Sequence, residues 1–424
     1  MQQSQRNPLP QTFAIPADAV SVVDYARYAQ ERMHPLAWAY MAGAAGEEQT
    51  QALNEVAFAR YPLRSRVLRN MAGGHCRLTV FGHEYASPIF LAPAAAHKLC
   101  HPDGELATVL GATAIGCGAV ISTQASVDMQ LLVEQAKQGN NPLWFQLYIQ
   151  EDPVYTDALI KKAERAGYQA LVITVDAPVN GMRYREQRMG FSVPDFAKPV
   201  NLHDLPRSCS NRRTVQGSNS RDVKHQTSEN SEIGIDAAVA RDEALTEGSS
   251  QTSEATHLRA GQGTVFDSPM VSSALGWDEL ERVISATSLP VILKGILHPD
   301  DAIEGLKRGA AGIMVSNHGG RVLDGMVSSL DCLAEVAQAV KAYKPDVPVF
   351  FDGGIRSGSD ILKALALGAD AIMIARPYLY GLAVGGASGV AHILHLLKTE
   401  LEMAMVLCGC RTLADVDKSL IHSC

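Results

Sequence analysis

Short apolar segments and helical segments alternate regularly along most of this chain of 424 residues. Eight apolar segments occur, at 88–92, 119–121, 143–147, 170–175, 290–293, 312–315, 348–351 and 371–374. Each is apolar nearly throughout, which is typical of parallel strands buried on both faces. Helical segments such as 279–286 and 358–367 separate them, and this order predicts parallel pairing. Eight strand–helix units predict an α/β fold, a TIM (β/α)8 barrel, with an open doubly wound sheet as the alternative.

Two features lie outside this alternation. Near the N-terminus, Ser21 and Asp24 have the spacing of a capping box and predict a first helix, and a second helical segment carries Trp38 and Tyr40. Between the fourth and fifth strands, the segment 201–267 is long, polar and rich in Ser, Thr, Gln and Asn, which favours a mobile insertion or lid. We predict a single domain, 1–424, with N-terminal helices and this insertion after strand 4.

Charge and composition exclude several classes of protein. The formal net charge is −8 and no long basic run occurs, so nucleic acid is not an expected partner. No run of 18 apolar residues and no apolar N-terminal segment occur, so we expect neither a membrane span nor a secretory signal. The eight cysteines are irregularly spaced without a C-x-x-C pair, which predicts reduced thiols, a cytoplasmic location and no metal site.

Polar side chains or tight turns follow nearly every predicted strand. In a (β/α)8 barrel these ends meet at one face and supply the catalytic residues. One polar strand end is compatible with a satisfied core group, but eight together predict a ligand site. The polar strand-end residues include Ser122, Gln146, Tyr148, Thr174, Asp176, Lys294, Ser316, His318, Arg321, Asp352, Arg356 and Arg376.

The last two strand ends predict a phosphate site. Gly353 and Gly354 allow close approach of the backbone, and Arg356 and Arg376 supply positive charge. A helix start at Ser357 would add unpaired N–H groups. The alternative is a pair of tight turns with solvated arginines.

A second group of residues predicts base chemistry on an anion. His318 can accept a proton near neutral pH, and a carboxylate such as Asp176 can orient it and stabilise its cation. Arg321 can bind a carboxylate through two hydrogen bonds, and Arg183 would complete the clamp. Taken alone, His318 is equally compatible with a structural role.

With these residues identified, the chain resembles the family of FMN-dependent 2-hydroxy-acid oxidases and dehydrogenases, which includes glycolate oxidase, lactate oxidase and mandelate dehydrogenase. The resemblance covers roughly residues 20–420 apart from 201–267. The most specific motif is Ser316-Asn317-His318-Gly319-Gly320-Arg321-x-Leu323-Asp324. The supporting motifs are Leu91-Ala92-Pro93, His101-Pro102-x-Gly104-Glu105, Phe145-Gln146-Leu147-Tyr148, Thr174-Val175-Asp176-x-Pro178 and Phe351-Asp352-Gly353-Gly354-x-Arg356.

The resemblance implies that FMN is the cofactor. Lys294 would stabilise negative charge on the reduced ring, and Asp352, Gly354, Arg356 and Arg376 would hold the ribityl chain and phosphate. The positions that match the family's FMN-binding residues are Pro93, Ala94, Ala95, Ser122, Gln146, Thr174, Lys294, Ser316, Asp352, Gly353, Gly354, Arg356, Ala375 and Arg376. Ala375 stands where the family usually has glycine, and we expect binding to survive because the N–H group is retained.

The resemblance also implies the reaction, oxidation of a small L-2-hydroxy acid to the 2-keto acid. His318 would be the base supported by Asp176, and whether electrons leave as a hydride or through a carbanion stays open. The catalytic positions are His318, Asp176, Tyr148 and Arg321, and the substrate-binding positions are Tyr40, Gln124, Tyr148, Asn180, Arg183, His318 and Arg321. Gln124 and Asn180 replace residues that are commonly apolar in the family, which predicts a polar substituent on the substrate unless both amides turn away.

Several alternatives remain at this level. Electrons pass either to O2, giving H2O2, or, in a dehydrogenase, to quinone or another carrier. A flavin-dependent isomerase is disfavoured by the His318–Arg321 pair, and a non-enzymatic binder is disfavoured because all catalytic positions are present. Membrane-attached relatives carry an anchor where 201–267 lies, but this segment lacks a sustained apolar face. By analogy with relatives, we expect a homotetramer or larger assembly.

Overall fold

A computed structural model describes residues 14–203, 205–208 and 275–422. A hairpin of β1 (Leu78–Val80) and β2 (His83–Tyr85) precedes eight parallel strands. These strands are β3 (Ile89–Leu91), β4 (Gly118–Ser122), β5 (Leu143–Leu147), β6 (Leu171–Thr174), β7 (Val291–Ile296), β8 (Gly312–Val315), β9 (Val349–Asp352) and β10 (Ala371–Ile374). Because β10 pairs with both β9 and β3, the sheet closes, and the predicted barrel is confirmed over the open sheet.

The interior of the barrel is filled by large apolar side chains. Phe90, Trp144 and Phe350 are at most 1% exposed and pack edge to face or tilted against one another. Phe81, from the turn of the hairpin, contacts the rings of Trp144 and Phe350 near the starts of their strands. The hairpin therefore lies over the amino-terminal end of the barrel, and the carboxyl-terminal end is open to a ligand.

The helices surround this barrel. They are α1 (Val22–Arg32), α2 (Pro35–Ala42), α3 (Gln49–Val56), α4 (Glu105–Ile115), α5 (Met129–Lys137), α6 (Pro153–Ala166), α7 (Tyr184–Arg188), α8 (Trp277–Ser285), α9 (Pro299–Lys307), α10 (Ser329–Tyr343), α11 (Gly358–Ala366) and α12 (Arg376–Cys408). The predicted N-terminal cap is confirmed, since the Ser21 hydroxyl accepts a hydrogen bond from the Asp24 N–H at 3.3 Å. Of the predicted mobile insertion, 204 and 209–267 lie outside the described residues, as do 1–13.

Within the described part of the chain, α12 is the one helix whose length and composition would suffice to cross a membrane. Its backbone leaves the helical conformation at Gly385 and Gly386, and 67% of its most apolar window is buried. The helix packs along α4, where a side chain at Gly111 would lie 2.6 Å from the Ala387 carbonyl oxygen. We interpret α12 as a core helix of the barrel.

The N-terminal helices are attached to the loop that follows β8. The Asp324 carboxylate accepts hydrogen bonds from the N–H groups of Glu47 and Thr50, both at 2.9 Å. The amides of Asn54 and Asn317, both buried, exchange two hydrogen bonds at 2.9 and 2.8 Å. These contacts hold α3 against the loop that follows β8, at the carboxyl-terminal end of the barrel.

Because Asp324 caps the first turn of α3 from a distant part of the chain, its removal should destabilise the fold. We expect Asp324→Ala to lower the free energy of unfolding by about 1–3 kcal/mol, since two N–H groups lose their acceptor. Asp324→Asn keeps one acceptor oxygen and should lose less. Urea unfolding of both variants measures this, and an alanine variant as stable as the parent would contradict the role.

Candidate active site

A cavity of about 490 Å³ opens at the carboxyl-terminal end of the barrel. All predicted site residues line it except Asp176 and Ser316, which lie directly behind His318 and Lys294. The predicted residues in its wall are Tyr40, Pro93, Ala94, Ala95, Ser122, Gln124, Gln146, Tyr148, Thr174, Asn180, Arg183, Lys294, His318, Arg321, Asp352, Gly353, Gly354, Arg356, Ala375 and Arg376. The strand ends thus converge on one site, as the barrel geometry requires.

His318 and Asp176 form a hydrogen-bonded pair in this wall. His318 Nδ1 lies 2.8 Å from Asp176 Oδ1, which leaves Nε2 to interact with a ligand. Burial alone would raise the pKa of Asp176, but His318 and Lys294 lower it below its usual value, so the carboxylate stays ionised. His318 has a left-handed backbone (φ 57°), and such conformations concentrate at functional sites.

Lys294 is a buried cation in the floor of the site. It is 4% exposed, donates to Ser316 Oγ at 2.9 Å and lies 3.5 Å from the Asp352 carboxylate. Burial disfavours the charged amine, but Asp352 and Asp176 outweigh this effect and raise the pKa of Lys294. A fixed positive charge therefore lies at the end of β7.

A row of polar side chains crosses three neighbouring strands. Gln146 Oε1 accepts from the Ser122 hydroxyl at 3.2 Å, and its amide nitrogen donates to the Thr174 hydroxyl at 3.1 Å. On the same side, burial raises the pKa of Tyr148 to about 12, so its hydroxyl remains a hydrogen-bond donor at neutral pH. The row presents neutral donors and acceptors to the cavity.

Two arginines form the opposite wall. Arg321 donates from one nitrogen to the carbonyl oxygens of Tyr40 and Gly43, at 2.8 and 2.6 Å, and lies over the Tyr40 ring. Arg183 directly precedes α7, and its side chain is 20% exposed. Its Nε is buried without a hydrogen-bond partner among the described residues, so its N–H group is left to donate to an anionic ligand.

Sequence reasoning missed Glu186, whose carboxylate contacts both arginines. Its oxygens lie 3.1 and 3.2 Å from Arg183 and 3.4 Å from Arg321. The signal was present in the sequence, because Glu186 follows Arg183 by three residues, the spacing of one helical turn.

The predicted phosphate end is only partly as expected. Arg376 donates to the carbonyl oxygens of Gly319 and Gly43, at 3.1 and 3.0 Å, and its buried Nε has no partner among the residues described. Burial, together with nearby Arg321 and Arg356, lowers the pKa of Arg376 to about 10. The hydrogen bonds of this guanidinium go to neutral carbonyl oxygens, and an anionic ligand would stabilise its charge. Arg356, in contrast, is paired with Glu55 at 2.5 Å.

One expectation about this end needs correction. The start of α11 offers fewer unpaired N–H groups than expected, because those of Arg356 and Ser357 donate to Asp360 and that of Gly358 donates to Glu400. Besides allowing a ligand close to the backbone, glycine at position 354 is required by packing. A side chain there would lie 2.0 Å from the Asn54 carbonyl oxygen.

Gln124 and Asn180 line the cavity with exposed side chains. Leu202 and Leu275, which flank the undescribed part of the insertion, line the same cavity. Described residues on both sides of the segment 209–274 therefore line the site.

The unpaired buried atoms test whether a cofactor fits. Besides Arg376 Nε and Arg183 Nε, Asp352 Oδ1 and Asp176 Oδ2 have no hydrogen-bond partner in the described structure. Asp352 can accept from hydroxyl groups and Arg376 can bind a phosphate, while Lys294 would offset the negative charge of a flavin ring that has been reduced. The residues fit a flavin mononucleotide. The fold and site define an FMN-binding (β/α)8 enzyme.

The family model for FMN-dependent dehydrogenase matches residues 29–423, and the chain belongs to this family. It is 38% identical to an L-lactate oxidase of Nostoc sp. over 95% of this chain and 98% of that protein. It is 34% identical to human 2-hydroxyacid oxidase 1, over 95% of this chain and 96% of that protein. A solved mandelate oxidase structure superposes with a TM-score of 0.73 at 32% identity, covering 94% of this chain and 97% of that one. The chain is an FMN-dependent 2-hydroxy-acid oxidase or dehydrogenase, as the resemblance implied.

Proposed function

We propose that the protein oxidises a small L-2-hydroxy acid to its 2-keto acid and passes the electrons to O2, giving H2O2. The observation that carries this proposal is the His318–Asp176 pair at 2.8 Å in one cavity with Arg183 and Arg321. A base beside two carboxylate-binding guanidiniums is the arrangement that proton removal from a 2-hydroxy acid needs.

Each protein group has a separate task in this proposal. Arg183 and Arg321 bind the substrate carboxylate, and Tyr40 and Tyr148 hold it and the hydroxyl. Oxidation removes two protons and two electrons from the substrate. His318 accepts one of the protons, and ionised Asp176 stabilises the resulting imidazolium. FMN, when bound, would take up the two electrons together with the second proton. The protein therefore orients the substrate and moves one proton, while the redox chemistry belongs to the cofactor.

The proposed cofactor contacts follow the chemistry of the wall. The Pro93–Ala95 backbone would contact the ring, and Ser122, Gln146 and Thr174 would hydrogen-bond it or the ribityl chain. Lys294 would offset charge on the reduced ring, with Ser316 beside it. The ribityl chain and phosphate would bind Asp352, Gly353, Gly354, Arg356, Ala375 and Arg376.

An anaerobic titration tests the reaction. Purified protein reconstituted with FMN is mixed with a panel of 2-hydroxy acids while the visible absorbance is followed. We expect at least one acid to bleach the flavin absorbance. If flavin binds but no acid bleaches it, the proposed reaction is wrong. Admitting air then separates oxidase from dehydrogenase, because only an oxidase recovers its colour rapidly. The dehydrogenase is kept as the alternative, and the names of the relatives above favour the oxidase.

We propose further that the substrate carries a polar substituent, such as a hydroxyl, amide or carboxylate, next to Gln124 and Asn180. These exposed amides lose hydrogen bonds to water if an apolar group covers them, at about 1–3 kcal/mol for each unsatisfied group. The double variant Gln124→Leu/Asn180→Leu should therefore shift the ratio of kcat/KM for polar over apolar 2-hydroxy acids by at least about tenfold toward apolar ones. An unchanged ratio would show that the amides do not contact the substituent.

A cytoplasmic location and a homotetramer or larger assembly complete the proposal. Exposed apolar side chains support an assembly, among them Val67 at 80% and Leu68 at 102% exposure. Light scattering on the purified protein measures the mass directly.

A further inference from the structure

Glu186 is a partly buried carboxylate that contacts both arginines of the substrate wall. Its side chain is 14% exposed and lies in α7, one turn after Arg183. One terminal nitrogen of Arg183 contacts both carboxylate oxygens, at 3.1 and 3.2 Å, and Arg321 approaches one of them at 3.4 Å. The pair of guanidiniums is thus oriented by a single acidic group.

Some N–H groups of the two arginines remain available to a ligand. One terminal nitrogen of Arg321 is used by the carbonyl oxygens of Tyr40 and Gly43, so only its other groups can turn to the cavity. Arg183 Nε is buried without a partner among the described residues. Glu186 and the carbonyl oxygens therefore restrict both side chains to one orientation, which leaves donors for a further acceptor.

The charges in this wall can be counted. Arg183 and Arg321 repel each other, and Glu186 is the carboxylate that acts favourably on both. Two positive charges and one negative charge leave a net charge of one, which a single carboxylate of the ligand neutralises. A second carboxylate at the same place would meet Glu186, and the charge of the two arginines would already be balanced by Glu186 and the first carboxylate.

We propose that Glu186 is a positioning and specificity residue, which orients Arg183 and Arg321 and limits this end of the site to an anion with one carboxylate. The proposal rests on the proposed function of the site and narrows it. It favours an uncharged polar substituent over a second carboxylate close to the arginines.

Oxalate and oxamate test this proposal, because they have nearly the same shape but carry two negative charges and one. Their dissociation constants are measured on the FMN-loaded protein from the change in flavin absorbance. Glu186→Gln keeps the size and removes the charge. We expect it to shift the affinity ratio toward oxalate by about tenfold or more, because one unit charge a few ångströms away in a partly buried site has an effect of this order.

Two variants make the test decisive. Glu186→Asp keeps the charge, so it should weaken both anions but leave their ratio unchanged. Glu47→Gln removes the partner of an exposed ion pair, Arg188–Glu47 at 3.2 Å, and should change neither constant. If Glu186→Gln weakens both anions equally, or if Glu186→Asp alone changes the ratio, the charge proposal is overturned. These binding constants need no turnover, so a failure of the parent protein to oxidise any 2-hydroxy acid would refute the proposed function separately.

Discussion

Replacing His318 with glutamine is expected to slow the reduction of bound FMN by a 2-hydroxy acid by about a thousandfold, within the range that a positioned general base contributes. Glutamine can still donate and accept hydrogen bonds, but it cannot take a proton at neutral pH. The glutamine amide could still donate a hydrogen bond to Asp176, which lies 2.8 Å from His318 Nδ1 in the parent. Asp176 would then have no imidazolium to stabilise. Anaerobic stopped-flow absorbance measures the reduction step without interference from the electron acceptor.

Binding measurements separate this loss from a structural one. The FMN content and the oxamate affinity of the His318→Gln variant should stay near those of the parent, since the arginines that bind the anion are unchanged. Asp176→Asn should also slow reduction, because a neutral amide cannot stabilise the imidazolium. If the His318 variant reduces FMN within about tenfold of the parent rate, another group must be the base.

The fold could be predicted because each barrel strand carries its own signal. Strands buried on both faces are apolar throughout, and β5 and β8 begin and end where the pattern indicated. The fifth predicted strand, 290–293, ends three residues before the observed strand β7 does, and the difference has a physical reason. β7 continues through Lys294 to Ile296, and its register shifts between those residues at Gly295, which has φ 108°. A lysine and a glycine are typical of a strand end, so the pattern did not indicate this bulge.

Other features were missed because their cause lies far away in the chain. The hairpin of β1 and β2 has three residues in each strand, too few for a periodic pattern, and it forms because Phe81 and Tyr85 pack against the aromatic core of the barrel. The contact between Thr50 and Asp324 joins residues 274 apart. The sequence pattern identified the polar residues of the site individually. It did not show which of them form hydrogen bonds or ion pairs with one another. Which arginine is satisfied by protein, and which still needs an anion, depends on distances that sequence does not contain.

Among the described residues, Arg376 has no acidic partner of the kind that Glu55 gives Arg356, and we therefore expect it to have a large effect on FMN binding. Arg376 is partly buried beside Arg321 and Arg356, and its pKa is lowered to about 10 from 12.5, so its charged form costs about 3 kcal/mol more than it would in water. Its hydrogen bonds to the Gly319 and Gly43 carbonyl oxygens offset part of this cost. A phosphate would remove the rest, because a buried charge is stabilised chiefly by an opposite charge. Arg376 should therefore contribute little to the apoprotein and much to FMN binding.

Arg376→Gln is accordingly expected to weaken FMN binding by about a hundredfold, measured by fluorescence quenching of the flavin. At a fixed saturating FMN concentration this lowers the stability of the loaded protein by about 2.7 kcal/mol, while the apoprotein should change by less than about 1 kcal/mol. Arg356→Gln is the matched comparison and should weaken binding less, because Glu55 already neutralises Arg356. Equal losses of stability with and without FMN would mean that Arg376 serves the fold and not the phosphate, since only a ligand contact makes the two states respond differently.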